Sequence, residues 1–186
     1  MRRFFLTCVV LATLVITAEA HPNLQNVMWV QFEPKAIRVA VNVSLKELSV
    51  TSGASFSEGL SLQDPVLDEA ARRHRDYLLQ HLSLSTGPDV LNGKVVRLVP
   101  PPKMADPEQT YFQYELEYSW KGEPTAEVVF SHDMLKEWPY EPGVAWDVSY
   151  VVRTKRTDSD EVTSWLLRYH QPSALLTGWG KSALGK

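Results

Sequence analysis

The chain has 186 residues and a formal net charge of −3, with basic and acidic residues interspersed along it. No basic stripe is available to neutralise phosphates, so we expect no nucleic-acid partner. After residue 20, no apolar run approaches the roughly 20 residues needed to cross a bilayer, so we expect no transmembrane segment in the mature chain. The remaining length is sufficient for one domain with a sizeable core.

The first twenty residues have the form of a secretory signal peptide. Arg2-Arg3 precede the apolar run 4–16, and Ala18-Glu19-Ala20 provides the small residues of a cleavage site. We therefore predict cleavage between Ala20 and His21, and a secreted or periplasmic mature protein. The only cysteine, Cys8, lies in the removed segment, so we expect neither a disulfide nor a lipid anchor.

Apolar and polar residues alternate at a period of two through much of the mature chain, which places every second side chain on one face of a strand. The segments with this pattern are 27–33, 37–45, 95–99, 112–120, 126–130, 144–152 and 163–169. One polar face per strand is typical of antiparallel sheets packed face to face. The pattern predicts a mainly β fold, namely an immunoglobulin-like antiparallel β-sandwich of about seven strands with one inserted helix. This domain covers residues 21–176, and residues 177–186 form a C-terminal tail.

One segment departs from the β pattern and predicts a helix over about residues 65–82. Asp64 can cap its N-terminus, and Pro65 suits its first turn. Apolar and aromatic side chains follow at helical spacing, and they are Leu67, Ala71, His74, Leu78 and Leu82. We expect the helix to lie across the sandwich, with His74 hydrogen-bonded beneath it. The serine- and glycine-rich residues 51–61 are predicted to form a loop.

The order of these elements resembles a known family. The extracytoplasmic chain starts with His-Pro and passes through two predicted strands into Asn-Val-Ser-Leu-Lys-Glu-Leu at 42–48. It then has a predicted helix with Asp-Glu-Ala-Ala-Arg-Arg-His-Arg-Asp-Tyr-Leu at 68–78, and it closes with β hairpins. In this order of elements it is similar to the N-terminal outer domain of HupE/UreJ-type membrane proteins. The resemblance covers residues 21 to about 176. It implies association with a membrane protein that handles nickel for hydrogenase or urease. The chain ends at Lys186 without such a membrane portion, so we expect an accessory or sensing role, or a membrane partner encoded separately.

Cleavage before His21 would leave an N-terminal α-amine beside an imidazole, a pair that can chelate copper or nickel. Pro22 has no amide proton, so the adjacent backbone nitrogen cannot become a third ligand. A further ligand must come from His132 and Asp133, at the end of a predicted strand, or from His170. Direct copper or nickel binding is therefore one alternative function. The other interpretation of His21 is that cleavage simply falls there.

The sequence shows no catalytic signature. The run Ser131-His132-Asp133 has the residue types of a hydrolase triad, but consecutive side chains of a strand point in opposite directions. Glu115 and Glu117 share the strand face opposite the aromatic residues, which favours a solvated pair over an acid and a base. We therefore expect a non-enzymatic binding or accessory module.

Two surface features leave further alternatives open. Trp138 and Tyr140 lie in a proline-bounded turn, where they either cap the end of the sandwich or expose an anchor for a protein or a sugar. An adhesive or carbohydrate-binding β-sandwich is therefore the remaining alternative function. Asn42 begins an Asn-Val-Ser acceptor site, which a eukaryotic secretory pathway would glycosylate.

Overall fold

The computed structural model describes residues 23–56, 61–103, 106, 109–120, 127–156 and 160–177. The predicted signal peptide, His21 and residues 178–186 of the predicted tail lie outside this part of the chain, whereas Thr177 ends a strand within it. Neither of the two helices in these ranges has the length and apolar character needed to cross a membrane.

The described chain is mainly β, with twelve strands and two helices. The strands are β1 (Asn23–Phe32), β2 (Ala36–Ser44), β3 (Leu82–Thr86), β4 (Asp89–Val90), β5 (Gly93–Val99), β6 (Tyr111–Ser119), β7 (Glu127–His132), β8 (Pro139–Glu141), β9 (Val144–Ala145), β10 (Asp147–Arg156), β11 (Val162–Arg168) and β12 (Ser173–Thr177). The helices are α1 (Leu45–Ser52) and α2 (Pro65–His81).

Ten of the strands form two sheets that enclose one core. The six-stranded sheet has the order β11-β10-β1-β2-β6-β5, and the four-stranded sheet has the order β12-β7-β3-β4, while β8 and β9 pair separately. The six-stranded sheet is mixed, because β1 runs parallel to β10, from the pair Asn23 and Asp147 to the pair Phe32 and Arg156. The prediction of wholly antiparallel sheets is therefore wrong at this pair. A parallel pair needs a long connection and not a hairpin, and the local alternation of a strand does not reveal its partner.

The predicted alternation is confirmed where two long strands, β2 and β6, pair within the six-stranded sheet. The inward residues of β2 oppose the inward residues of β6 in the pairs Ile37 with Tyr118, Val39 with Leu116, Val41 with Tyr114 and Val43 with Phe112. All eight side chains are buried. Each large apolar side chain buried in this way contributes about 1.5–3 kcal/mol relative to exposure, so this double row is a major source of stability.

Helix α2 is confirmed close to its predicted position. The Asp64 carboxylate accepts a hydrogen bond from the Val66 amide at 2.8 Å, and Pro65 is the first helical residue. The helix ends at His81, one residue earlier than predicted, because Leu82 is extended and begins β3. Its buried side packs on the inner face of the six-stranded sheet, where the Tyr114 hydroxyl donates to the Ala71 carbonyl at 2.9 Å.

Helix α1 was not predicted. The alternation of β2 was expected to continue through Leu45, but the Ser44 hydroxyl oxygen accepts a hydrogen bond from the Glu47 amide at 3.2 Å and caps a new helix. The helix ends where Gly53 adopts a left-handed φ of 69°. The prediction of a loop over 51–61 is therefore wrong at its first two residues, which are helical. Residues 57–60 of the predicted loop lie outside the described ranges.

The predicted strand count was too low because short strands and breaks carry little periodicity. Strands β3, β4, β8 and β12 have five residues or fewer and were not predicted. The segment 144–152, expected to be one strand, is divided at Trp146, since β9 pairs with β8 whereas β10 pairs with β1 and β11.

Candidate functional site

The most polar region of the core surrounds Glu47, on the first turn of α1. The Tyr150 hydroxyl, from β10, lies 3.1 Å from each carboxylate oxygen of Glu47, to which it donates. The side-chain amide of Asn26, from β1, also donates to this carboxylate. His74, from α2, places its Nε2 atom 3.3 Å from Glu47 Oε1, within ion-pair distance when the imidazole is protonated. We call these four residues the Glu47 cluster.

Of the two ring nitrogens of His74, Nδ1 is the one with a hydrogen-bond partner in the described part of the chain. Thr51 Oγ1 lies 3.0 Å from His74 Nδ1 and donates along α1 to the Glu47 carbonyl at 3.1 Å. The prediction that His74 is a hydrogen-bonded histidine beneath the helix is thus confirmed. Its ring also contacts those of Tyr77 and Tyr114, with centroids 5.2 and 5.5 Å away.

The residue types of the Glu47 cluster are those of acid–base chemistry, but the cluster is closed. Burial, together with the neighbouring carboxylate, raises the pKa of Tyr150 well above its ordinary value, so the phenol stays protonated and serves as a donor. The four residues of the Glu47 cluster are at most 1% exposed, whereas a general acid or base must come within hydrogen-bond reach of its substrate. The arrangement instead ties both helices to β1 and β10.

The metal ligands that the sequence suggested do not lie together in the structure. His132 is buried, and its ring makes an edge contact with the Tyr150 ring at 4.9 Å. Asp133 points to the surface, where its carboxylate lies 2.8 Å from His81 Nδ1. His170 is exposed at the end of β11, beside the Tyr169 ring. Within the described ranges, no three His, Cys, Asp or Glu side chains are arranged to hold a metal ion. His21 lies outside these ranges, so its metal site stays a prediction.

His132 has an unusual environment for a histidine. Neither of its ring nitrogens has a hydrogen-bond partner in the described structure. Burial lowers its pKa from 6.5 to about 4, and the Glu47 carboxylate opposes this shift only in part. His132 is therefore a neutral packing residue near physiological pH.

The two aromatic residues of the proline-bounded turn have different roles. Trp138 is half-buried and packs against the Tyr77 ring, with centroids 5.3 Å apart, so it caps the end of the sandwich. Tyr140 is exposed and makes an edge contact with the Trp146 ring at 4.9 Å. An adhesive site at this turn would therefore have Tyr140 as its exposed aromatic.

The outward face of the four-stranded sheet carries a row of apolar side chains. Leu175, Val129, Ser85 and Val90 are successive register partners across β12, β7, β3 and β4. The three apolar members of this row are exposed. A second row consists of serines, two of which join their hydroxyls at 2.7 Å. We call these residues the uncharged face, and they are Ser83, Ser85, Val90, Val129, Ser131, Ser173 and Leu175.

The outward face of the six-stranded sheet has a different character. Trp29 lies near its centre, with the Arg153 guanidinium 5.3 Å from the indole ring. Glu117 pairs with Lys94 at 2.8 Å, which lowers the pKa of that carboxyl, and Glu115 pairs with Arg97. The prediction that these two glutamates lie opposite the aromatic residues is confirmed. We call this surface the Trp29 face.

Sequence reasoning missed both Glu47 and the uncharged face. Ser44 followed three residues later by Glu47 has the spacing of a capping box, which would have predicted α1 and placed Glu47 on its first turn.

Comparison of the chain with models of known protein families and with curated proteins found no match. Its function is therefore inferred from these side chains and surfaces.

Proposed function

We propose that this chain is a non-enzymatic, extracytoplasmic binding module that docks on a protein partner through the uncharged face. The observation that carries the proposal is the exposed apolar row of Leu175, Val129 and Val90, which are 48%, 37% and 55% exposed. The cores of protein interfaces are depleted in charged residues and contain apolar side chains that water would otherwise surround.

The scarcity of charge is local to this face. The only Asp, Glu, Lys or Arg residues in β3, β4, β7 and β12 are Asp89 and Glu127, and each begins its strand. The small serine side chains between the apolar residues allow a partner backbone to approach closely. The face therefore offers a flat, uncharged contact surface.

Sequence features support the location and the kind of partner. The signal-peptide pattern of residues 1–20 supports an extracytoplasmic protein. The resemblance to the outer domain of HupE/UreJ-type proteins supports a membrane protein that handles a metal ion as the partner. Two sheets packed around one core support an immunoglobulin-like sandwich as the finer description of the fold.

A retention experiment with two matched variants tests the proposal. Mature protein is immobilised, detergent-solubilised membranes of the native cell are passed over it, and the retained proteins are identified by mass spectrometry. We expect Leu175→Glu to abolish retention of a specific membrane protein, because a buried carboxylate would lack a partner at the interface. Leu166→Glu places the same change on the Trp29 face, where Leu166 is 41% exposed, and should leave retention unchanged. Equal retention by wild type and Leu175→Glu would refute docking through this face.

Direct copper or nickel binding at His21 is the second candidate. Asn23, which follows His21 by two residues, is the register partner of Asp147. Asp147 and His170 line a common groove of about 390 Å³, so a carboxylate and an imidazole are available at this end of β1. A Cu(II) and Ni(II) calorimetric titration should show one-to-one binding that one extra alanine before His21 abolishes and His170→Ala weakens. Equal binding by the extended protein would exclude the N-terminal site.

A further inference from the structure

The Trp29 face presents two arginines that no carboxylate of the described residues neutralises, in a chain that is negative overall. Its side chains are identified by register and by alternation with buried neighbours along each strand. The cationic residues on its strands are Arg38, Lys94, Arg97, Arg153, Lys155 and Arg168. The carboxylates on them are Glu115, Glu117 and Asp147. Two more carboxylates beside the strands, Glu33 and Asp160, pair with Arg38 and Lys155. Most of these cations are paired, so an external anion would be attracted to those that remain unpaired and not to the molecule as a whole.

Two of these cations are not neutralised within the described chain. Arg153 and Arg168 have no carboxylate within ion-pair distance among the described residues, whereas Lys155 pairs with Asp160 at 2.9 Å. The Arg153 guanidinium lies against the Trp29 ring, which holds a cation and an aromatic ring at one point of the surface. These two arginines are available to an anionic partner.

The centre of the face is apolar. Trp29 is 39% exposed, and the neighbouring row of register partners is Val27, Val151 and Leu166. Tryptophan is enriched where one side of a ring meets hydrocarbon and the other meets water, as at the surface of a bilayer. Juxtaposed Lys and Arg side chains add attraction to anionic headgroups.

We propose that the Trp29 face binds the surface of an anionic lipid bilayer, with Trp29 inserted among the headgroups and Arg153 and Arg168 on their phosphates. Six strands at about 4.8 Å spacing make a face wide enough to contact several lipids at once. A second copy of this chain is disfavoured as the occupant, because it would bring the unpaired arginines of two such faces together. The uncharged face lies on the opposite side of the two layers, so a partner protein there would not compete with lipid.

Vesicle sedimentation of the mature protein tests the proposal. We expect binding to phosphatidylcholine vesicles that contain phosphatidylglycerol, little binding to phosphatidylcholine alone, and weakening by salt. Arg153→Glu and Arg168→Glu should each weaken binding by about tenfold or more, since each reverses a charge at the lipid surface. Trp29→Ala should also weaken it, while Trp29→Phe retains part of it and keeps an aromatic ring in place if the alanine variant misfolds. Arg75→Glu, at an exposed position of α2, makes the same charge change elsewhere and should bind as wild type does.

Other results would overturn the lipid assignment. They are equal binding to both kinds of vesicle, no binding to either, or binding that Arg153→Glu and Arg75→Glu weaken equally. Competition by polyglutamate together with unchanged binding of Trp29→Ala would instead identify the partner as an acidic protein. Leu175→Glu should sediment as wild type does, so failure of partner docking and failure of lipid binding are separately detectable.

Discussion

The carboxylate of Glu47 and the imidazole of His74 lie 3.3 Å apart with neither side chain exposed to solvent. Removing both groups from water is costly, and the attraction between them compensates only when further hydrogen bonds satisfy the carboxylate. The Tyr150 hydroxyl and the Asn26 amide supply those bonds. Glu47 thus accepts hydrogen bonds from two neighbouring strands and contacts the imidazole of the second helix.

Replacing Glu47 by Leu should destabilise the protein by about 3–5 kcal/mol, because it leaves the buried donors of Asn26 and Tyr150 without their acceptor and the His74 imidazole without its carboxylate. Urea unfolding at neutral pH, followed by circular dichroism, measures the loss. Glu69→Leu is the matched control, since that carboxylate lies on the outer side of α2 and, among the described residues, pairs with Arg72 and Arg73. A double-mutant cycle with His74→Gln should show coupling, and strictly additive losses would argue against the pair.

Stability should decrease as the pH falls from about 6.5 to about 4, because burial lowers the pKa of His132 over that interval. As the pH falls, His132 binds a proton in the unfolded chain before it does so in the folded protein, so acid favours unfolding within this pH window. Above the window, the full contribution of a neutral His132 to stability is present. The expected loss is about 3 kcal/mol, because the pKa falls from 6.5 in the unfolded chain to about 4 in the folded protein. His132→Leu removes the titrating group.

Urea unfolding of wild type and His132→Leu at several pH values measures this effect. The wild-type curve should fall more steeply toward acid between the two pKa values, and the curves should run parallel above pH 6.5. Parallel curves throughout the acid range would mean that His132 is not responsible for the pH dependence.

The elements predicted from sequence are those whose physics is local. Strand β2 follows from its own alternation, and α2 follows from helical spacing behind the Asp64 cap. The Glu47 cluster could not be assembled in this way, because the partners of Glu47 include Asn26, 21 residues away, and Tyr150, 103 residues away. The order of the strands in the sheet brings these partners together, and the alternation within single strands does not predict that order.

The uncharged face shows the same limit at the surface. The alternation of β7 predicts that Val128 and Phe130 point inward and that Val129 points outward. It does not predict that Leu175 and Ser85 lie on either side of Val129, because this depends on the register of three strands distant in the chain. A patch that spans several strands becomes visible only after the sheet is assembled.

A last prediction concerns the contact between Gly93 and Tyr118, which are register partners on β5 and β6. A Cβ atom added to Gly93 would lie 2.5 Å from Tyr118 Cε1, so an alanine there must displace the ring. The ring is held from its other end, since the Tyr118 hydroxyl donates to the Leu82 carbonyl at 3.2 Å and connects the two sheets. Overpacking of this kind costs about 1–3 kcal/mol.

Gly93→Ala should therefore lose more stability than Tyr118→Phe, which removes only the hydroxyl and its hydrogen bond, worth about 1 kcal/mol. Val96→Ala, at an exposed position of the same strand, is the control for loss of side-chain packing in β5. Thermal and urea unfolding of the three variants give the order directly. The double variant Gly93→Ala with Tyr118→Leu should lose less stability than the sum of the two single variants, because the smaller side chain leaves room for the new methyl group. If Gly93→Ala is as stable as wild type, contact with the Tyr118 ring is not the reason for a glycine at this position.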